Sequence, residues 1–326
     1  VYDLLLTMIL KKILSFAASI IKIFIIFYFI ANNHVVANIK KIYQADSGIL
    51  SIMYHRFDEN KYPSTNIRME VFKEQITLIK KNNIEFINPI EFDQNFNVPK
   101  KEKKILITID DGFTSFYENA WPFLKKNKIP FLLFISTKQI GKNGYMNWEQ
   151  IKEVEKENFA FIGNHSYSHD YLTKYNYNDF IIDINKSIKD FKVNLNYNPI
   201  YFSYPFGEYS LEQKKFIEKN FKYGFGQHSG VIDINKDKFE LPRFPINEKY
   251  GELKRFKSVI KYIPLEYKSL LPEEKKLNDI TNPPQVTVEF FSEQKNIKNI
   301  TCYSNDGGVW KQPNLNFENK ILKINF

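Results

Sequence analysis

The chain has 326 residues, 43% of them hydrophobic and 25% charged; this suits one large domain with additions, or two modest domains, and excludes a disordered chain. The formal net charge is +9, but the lysines are spread along the whole sequence, without the clustered basic patch or recognition motif of a nucleic-acid-binding protein. A single cysteine, Cys302, excludes an internal disulfide and a cysteine-based zinc site.

In chain order, the first signal is a leader. From Met8 the sequence reads MILKKILSFAASIIKIFIIFYFIANNHVVAN. Lys11 and Lys12 precede an apolar stretch over residues 13–31, broken by Ser15, Ser19 and Lys22, and Val35-Val36-Ala37 offers a cleavage point after Ala37. Residues 1–37 are expected to be a secretory signal peptide or, since about 20 apolar residues span a bilayer, an uncleaved membrane anchor. Either one exports the rest of the chain to the periplasm, the cell envelope or the medium. Residues 38–48 read as a linker.

An alternation of strands and helices follows. Strands are expected at 49–54, 84–87, 105–109, 130–136, 159–163, 200–204 and 223–226, and helices at 69–82, 117–127, 148–158, 178–194 and 211–220. Residues 100–104 read as a charged surface turn. Repeated strand–helix units argue for parallel strands with helical crossovers, an α/β barrel or open sheet, over residues 49–264. Residues 265–284 are polar and proline-bearing and read as a linker. Residues 285–326 then read as a small β-rich extension, with strands at 285–291, 299–303 and 320–326 and a turn at Asp306-Gly307-Gly308. Trp121 and Trp148 could stack on sugar rings but lie beside helices, which favours core packing.

The chemistry sits at the ends of predicted strands, where ligands bind in α/β folds. In ITIDDGF, residues 107–113, two adjacent carboxylates leave an apolar strand and meet a glycine. Two such groups brought into one pocket repel unless a cation or proton lies between them. In GNHSYSHD, residues 163–170, His165 and His169 stand four apart, and one helical turn would bring both rings to one side. Asp111, His165 and His169 together make a two-histidine, one-carboxylate set. Three protein ligands leave positions open for water and substrate, as at a catalytic metal centre.

TIDDG followed by HSYSH resembles the polysaccharide deacetylase family with the NodB homology domain, carbohydrate esterase family four. The resemblance covers about residues 50–250. It implies a distorted (β/α) barrel with fewer than eight strands. It also implies a divalent metal, zinc with cobalt or nickel as alternatives, held by Asp111, His165 and His169, with Asp110 as general base. FSYPFG, residues 202–207, resembles the family's Pro-aromatic-Gly motif and implies that the Phe206 backbone N–H holds the oxyanion. Many members carry an arginine where Ser203 stands, and that arginine orients the base; Arg243, in LPRFPIN, is the candidate replacement. The family's late histidine motif is absent, so His228, in FGQHSG, is the candidate general acid. His55, in MYHRF, and Tyr204 are candidate substrate contacts. YHRF, YPFG and GQHSG are closest to the exopolysaccharide branch that acts on β-1,6-N-acetylglucosamine polymers. The expected activity is removal of N-acetyl groups from a polysaccharide, with no nucleic-acid partner and with membrane association through the N-terminal segment. The alternatives are a non-catalytic carbohydrate-binding protein on the same fold and a metal hydrolase of another C–N amide bond.

Overall fold

A computed structural model describes residues 48–97, 102–291, 299–306 and 308–326. The expected leader and the linker up to residue 47 lie outside these residues. The elements in chain order are β1 (Ile49–Tyr54), β2 (Arg56–Phe57), β3 (Asn66–Ile67), α1 (Met69–Lys81), β4 (Glu85–Phe86), α2 (Phe92–Asn97), β5 (Lys104–Ile109), α3 (Trp121–Asn127), β6 (Phe131–Ile135), α4 (Trp148–Glu155), β7 (Ala160–Asn164) and α5 (Tyr177–Leu195). They continue with β8 (Tyr201–Ser203), α6 (Leu211–Asn220), β9 (Tyr223–Phe225), β10 (Phe244–Pro245), α7 (Leu253–Val259), β11 (Ser269–Leu271), β12 (Gln285–Glu289), β13 (Ser304–Asp306), β14 (Val309–Lys311), β15 (Asn314–Glu318) and β16 (Ile321–Asn325).

The helices form where apolar residues recur at helical spacing. α1 buries Phe72, Ile76 and Ile79 on one face. α4 and α6 each begin with a capping box, Asn147 with Gln150 and Ser210 with Gln213, which satisfies backbone N–H groups that would otherwise lack partners. The strands β1, β5 and β6 are buried at every position, the pattern of parallel strands covered on both faces.

The main sheet is parallel, in the order β10-β1-β5-β6-β7-β8-β9, with β4 also on β5. It curls into a distorted barrel with its helices outside. Leu241 bridges to Phe225 at one edge, while Phe244, three residues on, pairs with Ile52 at the other. The five residues 241–245 therefore tie both edges of the sheet together. Alternation along the strands sorts the side chains. Ile105, Ile107 and Ile109 of β5 join the cluster under the helices, while Leu106 joins the inner cluster of Leu132, Phe134, Tyr201, Tyr223 and Phe225. Asp110 continues the inward series of Leu106 and Thr108, and Ser203 continues that of Tyr201.

Several local expectations change. The helix expected at 117–127 is divided into a π-helical turn, Phe116–Ala120, and α3. Lys104 opens β5 with its ammonium 2.7 Å from Glu85, although it was expected in a surface turn. Residues 265–284, expected as a linker, contain β11, which pairs with β12. That joins the stretch to an antiparallel sheet in the order β11-β12-β16-β15, packed on Phe290, Leu322 and Ile324. Residues 299–303 are not a strand; a β13–β14 hairpin follows them, and half-buried Cys302 packs as an ordinary apolar group. Trp121 is buried against Phe131 and Phe159, and Trp148 packs on Phe191, so both belong to the core. Among the described residues, no helix is long and apolar enough to cross a membrane.

Candidate metal centre and active site

The site lies at the C-terminal ends of β5, β7 and β8, closed by the strap 241–245. Asp110 follows β5 into the barrel interior and is fully buried. Arg243, also fully buried, reaches it with both terminal nitrogens, Nη1 to Oδ1 at 2.7 Å and Nη2 to Oδ2 at 2.8 Å. The remaining guanidinium donors go to the Gly226 carbonyl from Nε at 2.8 Å, to Thr108 Oγ1 at 3.2 Å and to Ser203 Oγ at 2.7 Å. Five N–H groups thus make five hydrogen bonds, which fixes the guanidinium plane against the carboxylate. Burial alone would raise the Asp110 pKa, but Arg243, helped by His165 and His55, holds it below the ordinary carboxylate range. Asp110 is therefore ionised at neutral pH.

Asp111 turns out of the same strand end with φ of 75°, and Gly112 follows at 73°. This pair of left-handed residues brings the second carboxylate back to the first instead of to the opposite face of the sheet. Against the effect of burial, His169, His55 and His165 hold the Asp111 carboxyl far below its usual range.

The two histidines do not share a helical turn. Residues 165–170 form a bent loop, in which Ser166 and His169 have φ of 66° and 59°. Asn164 Oδ1 accepts from the Ser166 N–H, and Asp183 on α5 accepts from the Tyr167 and Ser168 N–H groups. Ser166 Oγ in turn accepts from the His169 N–H. Left-handed non-glycine residues persist only where surrounding bonds enforce them, and here those bonds come from Asn164 and Asp183. Phe206, with φ of 59°, is a further such residue, and its ring meets His169 at 4.9 Å.

His165 Nδ1 lies 2.7 Å from the Ser203 carbonyl. A carbonyl only accepts, so Nδ1 carries the proton and Nε2 offers a lone pair. Burial lowers the His165 pKa to about 4, which keeps the ring neutral. Its Nε2 lies 3.5 Å from Asp111 Oδ1 and 3.8 Å from Asp110 Oδ2, while His169 Nε2 lies 3.0 Å from Asp111 Oδ1. His165 Nε2 is buried without a hydrogen-bond partner, and Asp111 Oδ1 has only the His169 ring, at 3.0 Å, within reach. A buried lone pair that faces a carboxylate is costly unless a cation joins them. One ligand atom each from Asp111, His165 and His169 falls within 4.8 Å of the others, a set that fits a divalent ion.

The remaining candidates divide. His55 is half-buried just beyond β1, its Nδ1 is buried without a partner, and its charge acts on both Asp110 and Asp111. Tyr204 does not join the cluster. Ser203 points inward, so its neighbour points outward, and the Tyr204 ring is buried with Phe202 and Tyr209 under the helices. His228 is exposed on a separate cleft, and the charges acting on it are Glu240, Lys275, Lys236 and Arg243 rather than the two site aspartates. Its proximity to a strand end suggested the site, but the chain turns its ring outward. Sequence reasoning missed Thr108, Asn164 and Asp183, which hold the functional side chains. Asn164 alone carried a signal, since it directly precedes the first histidine. It also missed Tyr171, half-exposed, whose ring stacks on Phe206 at 4.0 Å and 8°.

A buried, arginine-clamped carboxylate beside a two-histidine, one-carboxylate cluster on a parallel barrel is an arrangement suited to metal-assisted hydrolysis. Residues 97–223 match the polysaccharide deacetylase family model. A poly-β-1,6-N-acetyl-D-glucosamine N-deacetylase of Staphylococcus aureus is 27% identical over 240 residues, covering 64% of this chain and 82% of the relative. IcaB from Ammonifex degensii superposes with a TM-score of 0.59 at 25% identity, covering 66% of this chain and 97% of that one. The deacetylase PplD of Streptococcus pyogenes shares the fold, with a TM-score of 0.59 at 21% identity over 65% of this chain and 98% of its own.

Proposed function

We propose that the chain is an exported, metal-dependent N-deacetylase of a β-1,6-linked N-acetylglucosamine polymer that releases acetate. The observation that carries this reading is the partnerless, buried His165 Nε2 facing the Asp111 carboxylate, with His169 on the same oxygen, beside an ionised Asp110 locked by Arg243. The polymer is suggested by the name of the Staphylococcus aureus relative. Export is suggested by the charged-then-apolar layout of residues 8–37.

Asp111, His165 and His169 would hold the ion, Zn2+ with Co2+ or Ni2+ as substitutes. When bound, it supplies a Lewis acid that polarises the acetyl carbonyl and lowers the pKa of water toward about 7. Asp110 accepts the proton of the attacking water; Arg243 keeps it ionised and aimed. The Phe206 N–H donates to the oxygen on which negative charge develops. His55, whose Nδ1 is buried without a partner and which lies near enough to act on both aspartates, is our candidate to give a proton to the departing amine in place of His228.

Chelation tests the reading directly. Acetate release from a short N-acetylglucosamine oligomer is expected to vanish with a chelator and to return with added Zn2+, and Asp111→Ala should fail to retain zinc by elemental analysis. Undiminished release from metal-stripped protein would sink it.

A further inference from the structure

A cleft runs between the barrel rim and the segment leading into the C-terminal sheet. It has two hollows, of about 630 Å³ and 440 Å³. They share His228, Glu240, Tyr267 and Leu270, so they form one continuous trough. Each lies within the range of about 300–1,000 Å³ that ligand sites occupy. The larger hollow begins at Thr173, Gly207 and Glu208. Gly207 and Glu208 directly follow Phe206, and Thr173 stands two residues beyond Tyr171. The exposed Phe206–Tyr171 stack, with Phe206 against His169, therefore lies where the metal centre ends and the trough starts.

We propose that this trough is a second polymer-binding subsite, built by residues 262–286, that holds amino-sugar units beyond the one being deacetylated. The proposal rests on the deacetylase reading and adds to it the C-terminal segment. The wall chemistry suits a sugar chain. Leu271 and Leu277, 46% and 39% exposed, offer apolar surface to the C–H faces of pyranose rings. Glu208 and Glu240 offer acceptors for hydroxyl and ammonium groups. Glu240 is held through Oε2 alone, by Tyr209 and Lys214, and Glu208 through Oε2 alone, by Thr173. One oxygen of each remains for a ligand, on a carboxylate already held in place, which reduces the ordering cost of binding. With Glu274 and Asp237, these carboxylates outnumber Lys236, Lys275 and Lys276 along the trough and complement the amine that deacetylation exposes.

The trough is also firmly attached to the barrel. Glu274 accepts from the Leu211 N–H at 3.0 Å, and the Lys236 ammonium donates to the Leu265 carbonyl at 2.9 Å and lies 3.8 Å over the Tyr267 ring. It is a wall, not a loose tail.

The test is titration calorimetry of the full chain with β-1,6-linked glucosamine oligomers of increasing length, fully or partly N-acetylated. A Leu271→Ser/Leu277→Ser variant changes only exposed side chains. It is expected to lose on the order of tenfold affinity for long oligomers and none for a disaccharide. Glu208→Gln, an isosteric change, is expected to lose the preference for partly deacetylated over fully acetylated chains. Equal loss at every length, no loss at any length, or failure of every oligomer to bind beyond disaccharide strength overturns the proposal. Acetate release from the disaccharide, measured in parallel, separates the two ideas. It should be unchanged in both variants, and its absence from the parent protein would defeat the deacetylase reading while the length dependence still decided the trough.

Discussion

Replacing Arg243 with leucine is expected to destabilise the protein by about 3–5 kcal/mol, because it leaves the Asp110 carboxylate buried and unpaired. The ion pair is wholly enclosed: both side chains are 0% exposed, and the arginine has no water-facing route by which a neighbour could replace it. Thr108 Oγ1, Ser203 Oγ and the Gly226 carbonyl each lose a bond as well. Chemical denaturation of the variant measures the loss. The pH dependence should reverse. In the parent, the Asp110 pKa lies below its unfolded value, so its contribution to stability is present above the ordinary carboxylate range and fades as pH falls toward the folded value. Without Arg243, burial dominates and the folded pKa rises above the unfolded one. Stability should then be lowest at neutral pH and improve as pH falls toward the unfolded carboxylate value. A variant as stable as the parent at pH 7 would show that the pair is not closed off from solvent.

Asp110→Asn is the complementary case, with the larger effect on turnover. Loss of a positioned general base costs about 10²–10⁴ in rate, and acetate release should fall into that range while zinc content stays at the parent level. Asparagine keeps an acceptor for Arg243 but cannot take a proton from water. The double variant, Asp110→Asn with Arg243→Leu, is expected to recover a substantial part of the stability lost in Arg243→Leu alone, since no charge is then buried without a partner. It should recover none of the activity. Such non-additivity is the mark of two groups acting as a unit. Near-parent turnover by Asp110→Asn would remove Asp110 from the mechanism.

The sequence was most informative where apolar runs end in functional groups. Asp110, Asp111, His165 and His169 stand at strand ends flanked by residues that can only be buried, so both their location and their convergence could be anticipated. Arg243 was reachable by a different route. A serine at position 203 left the proposed base without a cationic partner, and few arginines follow in the chain. The loop that brings His165 and His169 together was not legible, because its shape depends on Asp183, a residue on α5 with nothing in its local sequence to mark it. Strand alternation after an inward Ser203 already favoured an outward Tyr204. His228 could not be placed in this way, because a glycine-rich turn after β9 sets its direction. The C-terminal strands were harder still. β11 and β15 are short, half-exposed and mixed in polarity, so their pairing depends on partners distant in sequence and not on any local preference.

The strap 241–245 has a wider consequence. It is fastened to Phe225 on one side and Ile52 on the other, and Arg243 is its middle residue. Ring closure and the clamping of Asp110 are thus a single event, so under the proposed mechanism a nascent or partly melted chain with either seam open would be inert toward its substrate even with both aspartates and both histidines already in place.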